Sequence, residues 1–198
     1  MTSRQKETAR KEIIITGFGG QGIVLAGRIL GIAAALGDHR HSTLVQSYGP
    51  EARGGACSAE VIISDELIHY PHVRQPDILV GMSQSGFDKF IDQVKKQCVL
   101  LIDQDLVQSR GIPMDCFAIP STRMAEELGR KMMANIIMFG FFTSITGAVS
   151  MDSARNAVIE SVPKGTEESN ITAFNKGFDY GQAILKGYQK KASGKRGA

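Results

Sequence analysis

Apolar residues occur along the chain both as short continuous runs and as longer stretches with helical spacing. The run at residues 12–16 contains three consecutive isoleucines and predicts the first strand. The stretch from about residue 21 to 36 is apolar on nearly every side and predicts a helix covered on more than one side. Further strands are predicted at 42–47, 57–63, 77–82, 98–102 and 114–119. This alternation indicates a three-layer αβα sandwich with a Rossmann-like sheet.

A tight turn is predicted at residues 64–66, directly after the third strand. Residues 67–70 are predicted to pair back on residues 57–63 as a hairpin. An antiparallel pair of this kind would make the sheet mixed instead of purely parallel.

The stretch at residues 132–145 is rich in Met and Phe on every side and predicts a second strongly apolar helix. It is too short for a membrane span, which needs roughly 20 apolar residues. Such a helix either lies buried in the core or packs one face on the sheet and the other on a partner subunit. We favour the partner, because two such helices are hard to bury within one chain of this size. Amphipathic helices are predicted at 150–161 and 169–188.

Composition is that of one soluble domain, with 198 residues, 42% hydrophobic and 22% charged. We expect residues 12–189 to form it, between a disordered tail at 1–11 and a basic tail at 190–198. The net charge of +3 comes partly from these ends, and no basic stripe with interleaved aromatics predicts nucleic-acid binding. No signal peptide is visible, so we expect a cytoplasmic protein without a membrane segment.

Three cysteines are present, without a C-x-x-C pair. The chain alone is therefore expected to hold neither an iron–sulfur cluster nor structural zinc. Two histidine pairs, at 39 and 41 and at 69 and 72, have no cysteine or carboxylate companion at ligand spacing. Asp103 follows a buried strand and is expected to cap a loop. No self-contained catalytic set is evident.

A glycine turn separates the first strand from the first helix. Gly17, Gly19 and Gly22 have the G-x-G-x-x-G spacing in the required context of strand, turn and helix. Gly17 would permit a tight turn, Gly19 a close approach of another group, and Gly22 tight packing of helix on strand. With Gly20 and Gln21, these residues form a candidate anion site at a helix N-terminus.

The glycine turn has two interpretations, one purely structural and one as a site for NAD(P) or another phosphate ligand. A dinucleotide site also needs an acidic residue at the end of the second strand. Asp38 has the right sequence distance but precedes that strand, so it should lie at the wrong end of the sheet. This counts against NAD, whereas a phosphate-bearing or partner-held ligand remains open.

A second polar segment follows the strand at 42–47 and should lie on the same edge of the sheet as the glycine turn. Arg53 would clamp a phosphate or carboxylate, and Gly54 and Gly55 would leave the backbone accessible. Alternatively, Glu51 and Arg53 pair with each other in a surface loop. The chemistry of these residues supports the two interpretations equally.

Two sequences together are much more specific than the glycine spacing. They are Gly17-Phe-Gly-Gly-Gln-Gly-Ile-Val-Leu-Ala-Gly-Arg-Ile-Leu30 and Ser47-Tyr-Gly-Pro-Glu-Ala-Arg-Gly-Gly55. The chain resembles the gamma subunit of 2-oxoacid:ferredoxin oxidoreductases, most closely the 2-oxoglutarate members. The resemblance continues to residue 188 through Val61-Ile-Ile-Ser-Asp65, Tyr70-Pro71, Ala134-Asn135, Asn170, Ala173-Phe174 and Gly177.

The resemblance implies a multi-subunit enzyme that oxidatively decarboxylates a 2-oxoacid with coenzyme A to an acyl-CoA and reduces ferredoxin. Alpha and beta subunits would bind thiamine diphosphate with magnesium, and a cluster-bearing delta subunit would carry the iron–sulfur clusters. This chain would bind no cofactor alone and supply no catalytic residue. Its edge around Gly19 to Gln21 and Glu51 to Gly55 would face the cleft for thiamine diphosphate or coenzyme A.

Two other functions remain open at this point. One is a stand-alone NAD(P)-binding Rossmann-like module, which predicts dinucleotide binding by the isolated chain. The other is a pure assembly scaffold, in which substitutions in the glycine turn affect only folding and subunit retention. In isolation, the chain could also form a homodimer.

Overall fold

A six-stranded sheet lies between two helical layers in the computed structural model, which describes residues 10–47, 56–109, 111–112 and 114–194. The strands are β1 Lys11–Phe18, β2 His41–Ser47, β3 Ala56–Ser64, β4 Ile78–Gly81, β5 Val99–Asp103 and β6 Cys116–Ile119. The helices are α1 Ile23–Ile32, α2 Gln84–Phe90, α3 Ser121–Glu127, α4 Ala134–Thr146, α5 Met151–Ser161 and α6 Glu167–Gly194. A π turn at Ala33–Gly37 extends α1, and short 3₁₀ turns follow α2 and precede α4.

The sheet has the order β2-β3-β1-β4-β5-β6 and is mixed. Strands β1, β4, β5 and β6 are parallel, and β3 runs antiparallel to both of its neighbours, β1 and β2. The larger core lies between one face of the sheet and α1, α4, α5 and α6. A smaller core lies beneath α2 on the other face. The predicted three-layer mixed α/β sandwich is confirmed.

The predicted hairpin partner of β3 is wrong. Residues 67–70 are not a strand, and β2 forms the antiparallel pair with β3 instead. Carboxylate side chains hold the chain that follows: Glu60 accepts a hydrogen bond from the Val73 amide at 3.0 Å, and Glu12 accepts one from the Arg74 amide at 3.0 Å. Because β3 already pairs with β2 on one side and with β1 on the other, residues 67–70 have no free edge of β3 to pair with.

Helix α4 is covered within the chain, so the favoured prediction of a partner subunit on its second face is wrong. Every residue from 134 to 144 is buried. Helix α6 lies against α4 at backbone distance, because Gly140 and Gly177 have no side chain there. A Cβ at Gly140 would overlap the carbonyl oxygen of Phe174, and one at Gly177 would overlap that of Ile137. Glycine lets the two helices approach closely enough to bury the apolar helix in a single chain.

The described part of the chain has neither a membrane-spanning helix nor a cluster of metal ligands. None of its helices combines the length and the apolar composition that crossing a membrane requires. No group of three or more His, Cys, Asp or Glu side chains within the described ranges is arranged to hold a metal ion.

Asp38 joins the end of the α1 segment to the start of α5, and this predicts a loss of stability in acid. Its carboxylate accepts hydrogen bonds from the Ser150 amide at 2.8 Å and from the hydroxyls of Ser150 and Ser153 at 2.6 and 2.7 Å. Burial favours the neutral carboxyl, but these hydrogen bonds outweigh it and lower its pKa below 3.8. The carboxylate therefore contributes stability above about pH 4 that is lost as pH falls through the lowered pKa.

Asp38→Asn should reduce the free energy of unfolding by about 1–2 kcal/mol at pH 7. The difference from wild type should shrink as the pH falls below about 4 and through the lowered pKa, where the wild-type carboxyl becomes neutral. Urea unfolding at pH 7 and pH 3 measures both differences. Asp179→Asn, on the exposed face of α6, is the control and should change little at either pH. An equal loss for Asp38→Asn at both pH values would contradict the prediction.

Candidate functional site

The candidate site lies at one edge of the sheet, where β1, β2, β4 and β5 end and β3 begins. Gly17 pairs with Cys57, and Ser47 pairs with Ser58, so the glycine turn and both ends of the 48–55 segment are on this edge. Glu51, Arg53, Gly54 and Gly55 themselves lie outside the described residues. Their flanks are where the sequence predicted them, and their contact with a ligand stays a prediction.

The tip of the glycine turn is open to solvent. Gly19 and Gly20 are exposed, and a Cβ at either position would meet no atom within 4 Å. Gly20 has φ 95°, which favours glycine. The adjacent Phe18 side chain is 40% exposed. Among the described residues, no side chain would therefore have to move for another molecule to reach the backbone of the turn.

Gln21 bonds within the chain through both ends of its amide. Its Oε1 accepts a hydrogen bond from the Phe18 amide at 2.9 Å, and its Nε2 donates to the Met82 carbonyl at 2.8 Å. The side chain thus links the ends of β1 and β4 across the base of the turn. Sequence reasoning placed Gln21 among the ligand-binding residues and did not anticipate this structural function.

Gly17 permits the tight turn that the sequence predicted, whereas Gly22 contacts a different element from the predicted one. Gly17 is buried in β1, where a Cβ would collide with Gln21 of the turn and with Ile23 at the start of α1. Gly22 precedes α1 with φ 74°, and a Cβ there would collide with Asn135. The predicted packing of Gly22 on β1 is wrong, because Gly22 faces α4 instead. Gly27 makes a close approach of α1 to the sheet, with a Cβ position 2.6 Å from Ala59.

Asn135 supports the glycine turn from α4, and sequence reasoning gave it no such function. It is 2% exposed, and its Nδ2 donates a hydrogen bond to the Gly22 carbonyl at 3.1 Å. The signal in the sequence was one amide side chain inside an otherwise apolar stretch. A buried polar side chain needs a partner, and this one finds it on the turn.

Electrostatics of the turn suit an anion. Residues 18–22 carry no charged side chain, and the positive end of the α1 dipole lies behind them. Backbone amides and the helix dipole fit a phosphate or carboxylate group. A cation to neutralise that group would come from Arg53 or from a partner chain.

The topology argues against a dinucleotide at this edge. In a Rossmann fold, the second strand ends beside the first and supplies the acid that binds the ribose. Here β3 occupies that place and runs the other way, so it begins at this edge instead of ending there. Asp38, the only acid at the right sequence distance, lies at the opposite end of β2 and is bonded to Ser150 and Ser153.

Two further residues on this edge are structural. Asp103 is fully buried and caps α3, accepting hydrogen bonds at one oxygen from the Thr122 amide and the Thr122 hydroxyl, both at 2.8 Å. The expectation that it acts as a cap is confirmed. Cys57 pairs with Gly17 across the ladder, and burial raises the pKa of its thiol. A buried, protonated thiol is neither a nucleophile nor a metal ligand.

Known proteins resemble this chain in both sequence and fold. The family model for pyruvate ferredoxin/flavodoxin oxidoreductase matches residues 12–180. The 2-oxoglutarate synthase subunit KorC of Methanocaldococcus jannaschii is 49% identical over 186 residues, which cover 92% of this chain and 100% of KorC. The gamma subunit of a keto/oxoacid ferredoxin oxidoreductase from Geobacter sulfurreducens has a TM-score of 0.81 at 38% identity, with coverage of 88% of this chain and 98% of that chain.

A larger chain contains the same fold. It belongs to the 2-oxoglutarate:ferredoxin oxidoreductase of Magnetococcus marinus, solved with 2-oxoglutarate, coenzyme A and succinyl-CoA bound. The TM-score is 0.79 at 20% identity, and the match covers 88% of this chain and 31% of that one. At this identity, the likeness shows the fold alone.

Proposed function

This chain belongs to the pyruvate ferredoxin/flavodoxin oxidoreductase family, and we propose that it is the gamma subunit of a 2-oxoglutarate:ferredoxin oxidoreductase. The complex would oxidatively decarboxylate 2-oxoglutarate with coenzyme A to succinyl-CoA and reduce ferredoxin. The observation that carries the proposal is the end-to-end match at 49% identity to a 2-oxoglutarate synthase subunit.

The proposed division of labour follows from the resemblance to the gamma subunits of this family. Alpha and beta subunits would hold thiamine diphosphate and magnesium, and a cluster-bearing delta subunit would pass electrons to ferredoxin in the cytoplasm. This chain would hold no cofactor alone. The backbone amides at the glycine turn would bind an anionic group at the subunit junction.

Affinity purification under mild conditions tests the proposed function. The chain, tagged and expressed in its own cells, should recover a thiamine-binding chain and a cluster-bearing chain in stoichiometric amounts. The purified material should reduce ferredoxin in a reaction that depends on 2-oxoglutarate and coenzyme A. Recovery of the folded chain alone would overturn the proposal, and dinucleotide titration would then test the stand-alone module.

Arg53 is proposed to supply the positive charge at the edge, to a phosphate of the ligand or to a carboxylate of a partner. Arg53→Ala should therefore lower kcat/KM of the complex, or the yield of assembled complex, by about tenfold or more. Arg53→Lys should recover part of the loss, since lysine keeps the charge but not the bidentate geometry. Activity per assembled complex separates the effect on the ligand from the effect on assembly.

Arg123→Ala is the matched control, because its side chain is 56% exposed and its ion pair with Asp105 spans 3.8 Å. It should leave assembly and activity unchanged. Normal assembly and turnover of Arg53→Ala would show that the proposed function of this residue is wrong.

A pure assembly scaffold is the second candidate, favoured by the bonds of Gln21 and Asn135 within the chain. These bonds stabilise the turn whether or not a ligand contacts it. Gly20 distinguishes the two functions, because its φ is positive and its surroundings are open. A Gly20 substitution that assembles normally but weakens coenzyme A binding would exclude a pure scaffold.

A further inference from the structure

A groove with a volume of about 320 Å³ opens beside the glycine turn. Its walls come from α1, from the segment that enters α4 and from the segment that follows α5. The apolar residues that line it are Leu25, Met132, Met133, Ile136, Val162 and Pro163.

The groove is continuous with the candidate site. Asn135 lines the groove and donates the hydrogen bond that holds the Gly22 carbonyl. One side chain therefore forms part of the groove wall and supports the turn.

Met132 shows that the described part of this chain leaves the rim of the groove uncovered. Its side chain is 82% exposed, whereas the neighbouring Met133 is 6% exposed and Ile136 is 1% exposed. An exposed apolar side chain next to an apolar groove is typical of an interaction surface. Methionine is flexible and polarisable, and it adapts to the shape of an inserted group.

Two basic side chains lie in the lining of the groove. The lining contains Arg130 and Lys131 but no aspartate or glutamate. Lys131 is paired with Glu126 at 2.8 Å. Arg130 makes no ion pair with any residue in the described ranges. The complementary group is a carboxylate, which an arginine binds in bidentate geometry.

Asn170 adds a hydrogen-bond acceptor to the groove. It lines the groove at 7% exposure, and its Nδ2 donates to the Thr166 carbonyl at 2.9 Å and to the Thr166 hydroxyl at 3.1 Å. No hydrogen bond within the described residues reaches its Oδ1. The complementary group is an N–H donor, because an amide oxygen of this kind accepts hydrogen bonds.

We infer that the groove is the docking site for a segment of another subunit of the oxidoreductase. The segment inserts a large apolar side chain beside Met132, places an adjacent carboxylate on Arg130 and offers a backbone N–H to Asn170. The inference rests on the proposed function, in which the turn edge faces the subunit junction. A protein segment supplies the apolar group, the carboxylate and the N–H donor together, and the groove continues the surface that such a partner would cover.

The test uses the full tagged chain expressed in its own cells, with the co-purified subunits quantified by mass spectrometry. Met132→Glu and Arg130→Glu each place a carboxylate where the partner is expected to present an apolar or acidic group. Each variant should lower the recovery of partner subunits by about tenfold or more. Leu36→Glu is the control, because Leu36 is 67% exposed at the far end of α1 from the turn. It should leave recovery unchanged, and all three variants should unfold at the wild-type temperature.

Three outcomes would overturn the inference, and they are distinguishable from one another. Wild-type chain that recovers no subunits overturns the proposed function together with the docking site. Normal recovery by both groove variants overturns the docking site alone. If both groove variants recover the partner subunits normally, and the isolated wild-type chain forms a dimer that Met132→Glu dissociates, the groove binds a second copy of this chain instead. Sedimentation of the isolated chain measures that dimer.

Discussion

Gly177→Ala is expected to lower the free energy of unfolding by about 3 kcal/mol or more, because the added methyl overlaps a backbone atom. The Cβ position of Gly177 overlaps the Ile137 carbonyl, and a carbonyl in a helix cannot rotate away as a side chain can. Helix α6 would have to move off α4 and expose part of the largest apolar cluster. For a chain of this length, the loss corresponds to a fall in Tm of about 6–12 °C.

Gly187→Ala is the matched control in the same helix. A Cβ at Gly187 would meet no atom within 4 Å. Alanine should therefore raise stability by about 0.5–1 kcal/mol, through its higher helix propensity. Thermal and urea unfolding of the two variants measure the difference. Similar stability of Gly177→Ala and Gly187→Ala would show that the close approach of α4 and α6 is not required.

Asp103→Ala is expected to lower the free energy of unfolding by about 3 kcal/mol, because several buried donors would lose the acceptor that they share. The carboxylate accepts hydrogen bonds from the Ser121 hydroxyl, the Thr122 amide and hydroxyl, and the Asp105 amide. Each buried donor left without a partner costs about 1–3 kcal/mol, and some would regain water. Asp103→Asn should cost less, since the amide oxygen can still accept at one side.

Urea unfolding of Asp103→Ala should show a lower midpoint with an unchanged m-value. Asp105→Ala is the nearby control, because its carboxylate only faces Arg123 at 3.8 Å on the surface. Its effect should stay below about 0.5 kcal/mol. If Asp105→Ala is as destabilising as Asp103→Ala, the cap of α3 is not the source of the stability.

The strands could be predicted from the sequence because each is a short apolar run, but their neighbours could not. Residues 67–70 have a pattern that fits a strand after a turn. Both sides of β3 are instead occupied by β1 and β2, and Glu12 and Glu60 bond the chain farther on, at residues 73–75, from positions up to 63 residues away. Local pattern carries no information on such distant acceptors, and the pairing of β2 with β3 could not be inferred from it.

The burial of α4 illustrates the same limit for helices. Its apolar composition was evident, and a partner subunit was the favoured cover. Gly140 lies in α4 and Gly177 in α6, and each reads as an ordinary helical glycine when taken alone. Their function appears only when the two helices are placed side by side. The lack of a side chain at each glycine then leaves room for the backbone of the opposite helix.

The candidate site was predictable in its position and less so in its internal contacts. The G-x-G-x-x-G spacing located the turn, and the order of strands placed it at a sheet edge. The hydrogen bond between Asn135 and Gly22 joins residues 113 positions apart and has no local signal. Gln21 was assigned to a ligand because its neighbours are glycines, whereas its amide bonds to Phe18 and Met82.

Because α6 covers α4, the core of the domain can be completed only late in synthesis. Helix α4 leaves the ribosome about 20 residues before α6 begins, and the α5 segment between them is mostly polar. Until α6 is made, a strongly apolar helix has no complete cover, which is the condition in which nascent chains aggregate or recruit chaperones. The domain therefore completes its core only after α6 is synthesised, so its assembly with partner chains is expected to follow translation.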